Sequence, residues 1–395
     1  MRVALNATPL LSPLTGIGQY TYQVAKGLQN DPEVNPSYFY AGVWSDQVRE
    51  ASTNIGSMGA TQQSFRSVIK KAIPDGARYR LSRAWRQRSF SKGCQTHQIQ
   101  VYHEPNFLTY KHDVPTVLTV HDLSWIRFPH THAKAHVAEM NHYFPDSLMH
   151  ADKIVTVSEF VKQEVQDVFG ISPDRIVAIG EGAEDLFQPR QLFETQNVLD
   201  RFDLKHGKYI LAVGTLEPRK NLIVALNAYS RLSNAVRAEY PLILIGMKAW
   251  LANEFDKNLA LVAPLIDAGQ IRLLGYQPRE DLAVVMSGAL CLVYPSIYEG
   301  FGLPPLEAMA SGVPVISSNV SSIPEVVGDS GVLIDPHDTE ALSEAMERMI
   351  EDNIYRNQMA QKALERSQLF SWRNCVEKTI AVYREVLNPV SGAKT

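Results

Sequence analysis

Cysteine is scarce in this chain of 395 residues. Cys94, Cys291 and Cys375 stand far apart, match no metal-ligand spacing and are too few for a disulfide framework, so the expected home is a reducing cytoplasm. No apolar run reaches the length needed to span a bilayer, which leaves peripheral contact as the only expected membrane association. The opening stretch 1–11 carries one early cation, Arg2, before an apolar run that stops at Ser12 and Pro13, too short and too polar for an export signal. Neither sign of charge dominates. Lys and Arg total 38, Asp and Glu 42, and a net charge of −4 gives the whole molecule no reason to bind nucleic acid. Low-complexity tracts and repeats of solenoid period are missing too.

What is present is an ordinary globular composition, 45% hydrophobic and 20% charged, on a chain too long for one core and suited to two. Short β-rich apolar runs alternate with helical patterns from end to end, as in parallel sheets covered by helices on both faces. Strands are expected over 2–6, 38–43, 100–103, 116–120, 153–157 and 175–179, and again over 209–213, 242–245, 271–274, 290–294 and 313–317. Between the two series the rhythm fails, with Pro189, several charges and Gly207, so 184–208 reads as a linker. The expectation is α/β: two doubly wound, Rossmann-like domains, 1–183 and 209–370, facing across a cleft. Two amphipathic helices, 339–351 and 371–387, close the chain, and the 371–395 segment is expected to cross back onto the first domain.

Four stretches carry chemistry. In the run from Tyr298 to Glu307, Gly300 and Gly302 let the backbone approach a ligand and the prolines suit a first helical turn, so the loop amides and helix dipole suit a diphosphate. Glu299 and Glu307 flank it and can accept hydrogen bonds from sugar and ribose hydroxyls. The plain alternative is a helix-capping turn with Glu307 favouring the dipole. The second stretch, Gly214 to Asn221, sets Arg219 and Lys220 at the carboxyl end of a strand, where they can meet diphosphate charge; otherwise it is a solvated loop. The third is His121–Asp122, whose histidine can bond a sugar hydroxyl near the anomeric centre or merely cap a turn. The fourth, Thr15 to Gly18, lacks the third glycine of a dinucleotide fingerprint and reads as a flexible loop at the cleft, with Gly16 and Gly18 near acceptor or phosphates.

Two further features are local. Nine of the 11 histidines fall between His97 and His150, and His130, His132 and His136 have metal-like spacing, but no carboxylate or cysteine completes a set, so no metal is expected. From Arg66 to Lys92 there are nine Lys or Arg residues against one acid, Asp75, with Tyr79, Trp85 and Phe90 interleaved. This segment suits an anionic membrane surface and a lipid-linked acceptor, or else a solvated pair of helices.

Over nearly its whole length the chain resembles family 4 of the retaining glycosyltransferases, which have the GT-B fold. The family's pair of glutamates with seven residues between them matches Glu299 and Glu307, with Gly300, Phe301, Gly302 and Leu303 in the interval. The resemblance implies that Glu299 contacts sugar hydroxyls, that the loop amides cover sugar and phosphate, and that Glu307 holds the ribose. It places Lys220 on the diphosphate, with Arg219 sharing that role, His121 at the active site, and Gly16 and Gly18 in the N-terminal glycine loop. Thr215 stands where many members carry an arginine, so Arg219 must supply part of the phosphate clamp. The stretches Thr15–Gly18, Tyr102–Asn106 and Gly214–Asn221 look more narrowly like bacterial polysaccharide mannosyl- and rhamnosyltransferases. What this implies is metal-free, retaining transfer of mannose from GDP-mannose, or else rhamnose from GDP-rhamnose, to a glycan or lipid-linked glycan in cell-surface polysaccharide synthesis. A nucleotide-sugar 2-epimerase of similar architecture, or a non-catalytic nucleotide-sugar-binding partner protein, are the alternatives.

Overall fold

The computed structural model describes residues 1–12, 16–49, 75–247 and 259–388. The first sheet contains β1 (Arg2–Asn6), β2 (Asn35–Tyr40), β3 (Val43–Ser45), β4 (Val101–Glu104), β5 (Thr116–Val120), β6 (Lys153–Thr156) and β7 (Ile176–Ala178), in the order β3-β2-β1-β4-β5-β6-β7. All pairings are parallel except β2–β3. The single strand expected over 38–43 is a hairpin instead. Ala41 and Gly42 turn it with φ of 51° and 117°, and an alanine in a left-handed position carries no turn signature that a sequence would reveal.

The second sheet contains β8 (Ile210–Val213), β9 (Leu242–Ile245), β10 (Ile271–Gly275), β11 (Cys291–Tyr294), β12 (Val315–Ser318) and β13 (Val332–Ile334), all parallel, in the order β10-β9-β8-β11-β12-β13. Residues of β8, β9, β11 and β12 are buried throughout, as strands covered on both faces must be. β13 was not expected. Three residues are too few to show a period.

The principal helices are α1 (Gly16–Asn30), α2 (Asp75–Thr96), α3 (Lys134–His150), α4 (Glu159–Phe169), α5 (Leu192–Arg201), α6 (Leu222–Arg231), α7 (Arg279–Ser287), α8 (Leu303–Ala310), α9 (Ile323–Val327), α10 (Thr339–Glu351), α11 (Asn353–Ser367) and α12 (Trp372–Leu387). The stretch read as a linker holds α5, opened by a reciprocal capping box between Gln191 and Glu194. Phe187, Leu199 and Leu204 from that stretch are buried in the second domain's core. The chain crosses back where Ala183 bridges Ser371, and a Cβ on Gly182 would stand 2.1 Å from the Trp372 nitrogen. From there α12 lies on the first domain, burying Val376, Ile380 and Tyr383 beside Val3, Leu5, Tyr20 and Val24. Each such side chain contributes about 1.5–3 kcal/mol.

In each sheet the strand order reverses once, between β1 and β4 and between β8 and β11. Open α/β sheets bind ligands just outside the carboxyl ends of the strands at that reversal. The 214–221 loop follows β8 and the 295–302 loop follows β11, so the topology brings both to one place.

Candidate active site

Lys220 and Glu299 meet at the second reversal point. The Lys220 Nζ lies 2.7 Å from Glu299 Oε1 and 2.9 Å from the Tyr294 hydroxyl, and that hydroxyl donates to the same carboxylate oxygen at 2.7 Å. Burial alone pushes the Glu299 carboxyl up, but Lys220 and then Arg219 outweigh it and hold it below its ordinary value. Burial disfavours the Lys220 cation, and Glu299 more than restores it. The pair is ionised on both sides. A nucleoside diphosphate arriving here meets a buried ammonium and a carboxylate already oriented by a tyrosine.

Arg219 is placed differently from its neighbour. It follows Pro218 in a 3-10 turn, Pro218–Lys220, and its own carbonyl accepts from Ile297 N, which ties the two loops together. Its guanidinium donates to Tyr298 O at 3.1 Å and to Glu217 at 2.9 Å, and stands 3.8 Å from Asp122 and 4.0 Å from Glu299. Burial opposes its charge, but Asp122, Glu299 and Glu217 together raise its pKa. Arg219 is therefore a junction between the two domains as well as a buried cation beside Glu299. Thr215 is half-buried, and its carbonyl accepts from Glu217 N at 2.8 Å.

The glycine loop is pressed onto the first domain. A Cβ on Gly300 would stand 1.8 Å from the His121 carbonyl oxygen, so only glycine fits, and Ser158 Oγ donates to Gly300 O at 2.7 Å. Gly302 has φ of 112° and opens α8, whose first turn takes Pro304 and Pro305. Phe301 belongs to the buried cluster that also holds Phe107, Trp125 and Phe144 of the first domain, with its ring 5.8 Å from that of Phe370, and Leu303 packs against that cluster and the one that holds Val3 and Tyr20. These two side chains pack across the boundary between the domains. Other bonds cross the cleft. The Tyr298 hydroxyl bonds Glu164 and accepts from Leu123 N, and Glu325 on α9 accepts from Glu159 N and Phe160 N at the start of α4.

Glu307 points elsewhere. It is buried, and Arg279 donates to it at 2.7 Å and also bonds Glu184, where the chain passes between domains. Burial raises the Glu307 carboxyl, and Arg279 offsets only part of that. His121 lies at the end of β5 with Nε2 at 2.8 Å from Pro105 O and Nδ1 at 3.6 Å from Glu181. A carbonyl only accepts, so Nε2 carries hydrogen and its bond is used within the protein. Gly16 and Gly18 do not form the flexible loop expected of them but open α1; Thr15 lies outside the described residues.

The sequence pointed to Lys220, Arg219 and Glu299, which the structure brings together, and to Gly300 and His121, which abut through backbone. It did not point to Tyr294, Glu181 or Arg279. Glu181 sits where strand rhythm gives way to charge, and Arg279 opens an ordinary amphipathic helix, so neither carries a local signal. Among the described residues no cluster of His, Cys, Asp and Glu could hold a metal, and no helix is long and apolar enough to cross a membrane.

Residues 14–185 match the model "Glycosyltransferase Family 4" and residues 200–366 match "Glycosyl transferases group 1". The chain is 36% identical to the O-antigen chain mannosyltransferase B of Escherichia coli, over 97% of this chain and 100% of that protein. It is 29% identical to the D-inositol 3-phosphate glycosyltransferase of Corynebacterium diphtheriae, over 69% of this chain and 65% of that protein. The solved sucrose-phosphate synthase of Thermosynechococcus elongatus superposes with a TM-score of 0.73 at 18% identity, covering 99% of this chain and 100% of that one, which establishes the GT-B fold. Full-length identity and the two domain matches together make this chain a glycosyltransferase that belongs to family 4.

Proposed function

We propose that the protein transfers mannose from GDP-mannose to a glycan acceptor in cell-surface polysaccharide synthesis, with retention and without a metal ion. The observation that carries the donor site is the buried Lys220–Glu299–Tyr294 cluster at the second reversal point. Mannose is favoured by the full-length likeness to an O-antigen mannosyltransferase. In the reaction the bond between the anomeric carbon and the diphosphate oxygen breaks, and a bond from that carbon to the acceptor oxygen forms on the same face. The acceptor proton passes to the departing diphosphate. Lys220 and Arg219 stabilise the charge that develops there, worth several kcal/mol in a dry site. Glu299 orients the sugar and Glu307 the ribose, while the loop amides at 300–303 cover the phosphates.

The test is turnover of GDP-mannose, GDP-rhamnose and UDP-glucose with a mannoside acceptor, in excess EDTA. GDP release fastest from GDP-mannose, and undiminished by EDTA, is expected. Preference for another donor overturns the sugar assignment; activity lost to EDTA and restored by magnesium overturns the metal-free mechanism.

The acceptor's lipid carrier is proposed to bring the protein to an anionic membrane face. Trp85, 56% exposed, shares one face of α2 with exposed Arg88 and Lys92. Phe90, expected from sequence to join them, is instead fully buried against Phe39 and Tyr102; residues 66–74 lie outside the described residues. Sedimentation with phosphatidylglycerol vesicles should weaken when Trp85, Arg88 and Lys92 become alanine, glutamine and glutamine. Unchanged sedimentation would leave α2 a solvated helix.

A further inference from the structure

Unused bonding capacity gathers where the first domain faces Arg219. After β5 the chain passes through the helix Ser124–Arg127 and the 3-10 turn Pro129–Thr131, and this return places His132 and His136 over Asp122. The two imidazole rings lie 5.6 Å apart. The Nε2 of His132 and the Nε of Arg219 are buried with no protein partner, and leaving such a group unpaired costs about 1–3 kcal/mol. Asp122 uses Oδ1 to accept from Ser124 N at 2.8 Å, whereas Oδ2 stands 3.8 Å from Arg219, beyond hydrogen-bond range. Arg219 in turn is 4.0 Å from Glu299, so this group adjoins the carboxylate assigned to the transferred sugar.

The character of the group narrows what it can hold. Burial lowers both imidazoles, and the Arg219 charge lowers His132 further, so each ring is neutral at neutral pH with one donor and one acceptor. Asp122 and Glu217 face His132, and Asp122 faces His136; the nearest cation, Arg219, is already shared among Asp122, Glu217 and Glu299. A second phosphate would meet acidic side chains whose partner is spoken for. Sugar hydroxyls, which both donate and accept, fit every free atom.

We infer that Asp122, His132 and His136 form the acceptor subsite, and that it takes the neutral, unphosphorylated terminal sugar of a glycan. The inference rests on the glycosyl-transfer reading above and names its second substrate. In the reacting complex Asp122 accepts from the acceptor's hydroxyls and the two imidazoles fix its ring beside Glu299.

Saturation-transfer NMR and calorimetry with α-mannobiose and, separately, D-inositol 3-phosphate test it on the full chain, with and without GDP. The wild type, His132→Ala, His136→Ala and His132→Gln are compared. Mannobiose should bind the wild type, weaken at least about tenfold in both alanine variants and partly recover in H132Q, which restores a donor and an acceptor. GDP affinity should stay within about twofold throughout, because neither imidazole is hydrogen-bonded to the donor loops. Mannobiose binding that is absent from the wild type or indifferent to both alanine substitutions overturns the inference, as does preferential binding of the inositol phosphate. If GDP fails to bind while mannobiose still depends on both histidines, the subsite stands and the nucleotide-sugar donor falls.

Discussion

At the residue scale the chemistry was legible where a residue type had few other uses in its place. Glu299 and Lys220 each lie in the loop that follows a buried apolar strand, and a buried charge there must answer to a ligand or to another charge. What the sequence hid was the pairing: nothing in it shows that Tyr294, the last residue of its strand, aims its hydroxyl at Glu299. Gly300 shows the same limit. Its spacing suggested backbone approach to a ligand, and the structure adds a second partner, the His121 carbonyl. Gly300→Ala is expected to force the domains apart by more than an ångström and cut turnover roughly a hundredfold, with the melting temperature little changed. Wild-type turnover in a folded G300A protein would show that the close approach does not position the reacting groups.

At the element scale most strands were legible because alternation with helices is strong, and the misses have physical causes. The 38–43 hairpin turns on an alanine in a left-handed conformation, β13 is three residues long, and α5 hid behind Pro189 and its own surface charges. β4 carries an unforeseen electrostatic balance. His103 is buried between Tyr383 on α12 and Thr119, and burial lowers it to about 3 from 6.5. Next to it, burial raises Glu104 to about 7 from 4.5, against hydrogen bonds from Tyr102 and Asn6. The signs oppose. Between pH 6.5 and 5 the unfolded chain takes up a proton at His103 that the fold refuses, so stability falls on acidification; over that range the fold keeps the Glu104 proton and stability rises. The two nearly cancel. His103→Gln leaves Glu104 alone, so on going from pH 6.5 to 5 the variant should gain about 2 kcal/mol relative to the wild type in urea denaturation. Equal pH slopes in the two proteins would refute the assignment.

At the scale of the whole molecule, two doubly wound domains and a returning C-terminal helix follow from the order of elements, whereas the closure of the cleft does not. Bonds such as Glu325 to the start of α4 and Ser158 to Gly300 join residues more than 140 positions apart, and no local pattern announces them. That closure sets the two glutamates different tasks. Glu299 faces Lys220, Tyr294 and Arg219; Glu307 faces Arg279 and the passage between domains. Calorimetric titration of GDP into the wild type, Glu299→Ala and Glu307→Ala, alongside GDP-mannose turnover, tests that division directly. Glu307→Ala should weaken GDP binding by about 1.5 to 3 kcal/mol, roughly ten- to a hundredfold. Glu299→Ala frees Lys220 from its partner, so GDP should bind as well as before or more tightly while turnover collapses. Equal loss of GDP affinity in both variants, or no loss in either, would contradict a donor site in which one carboxylate holds the sugar and the other the nucleotide.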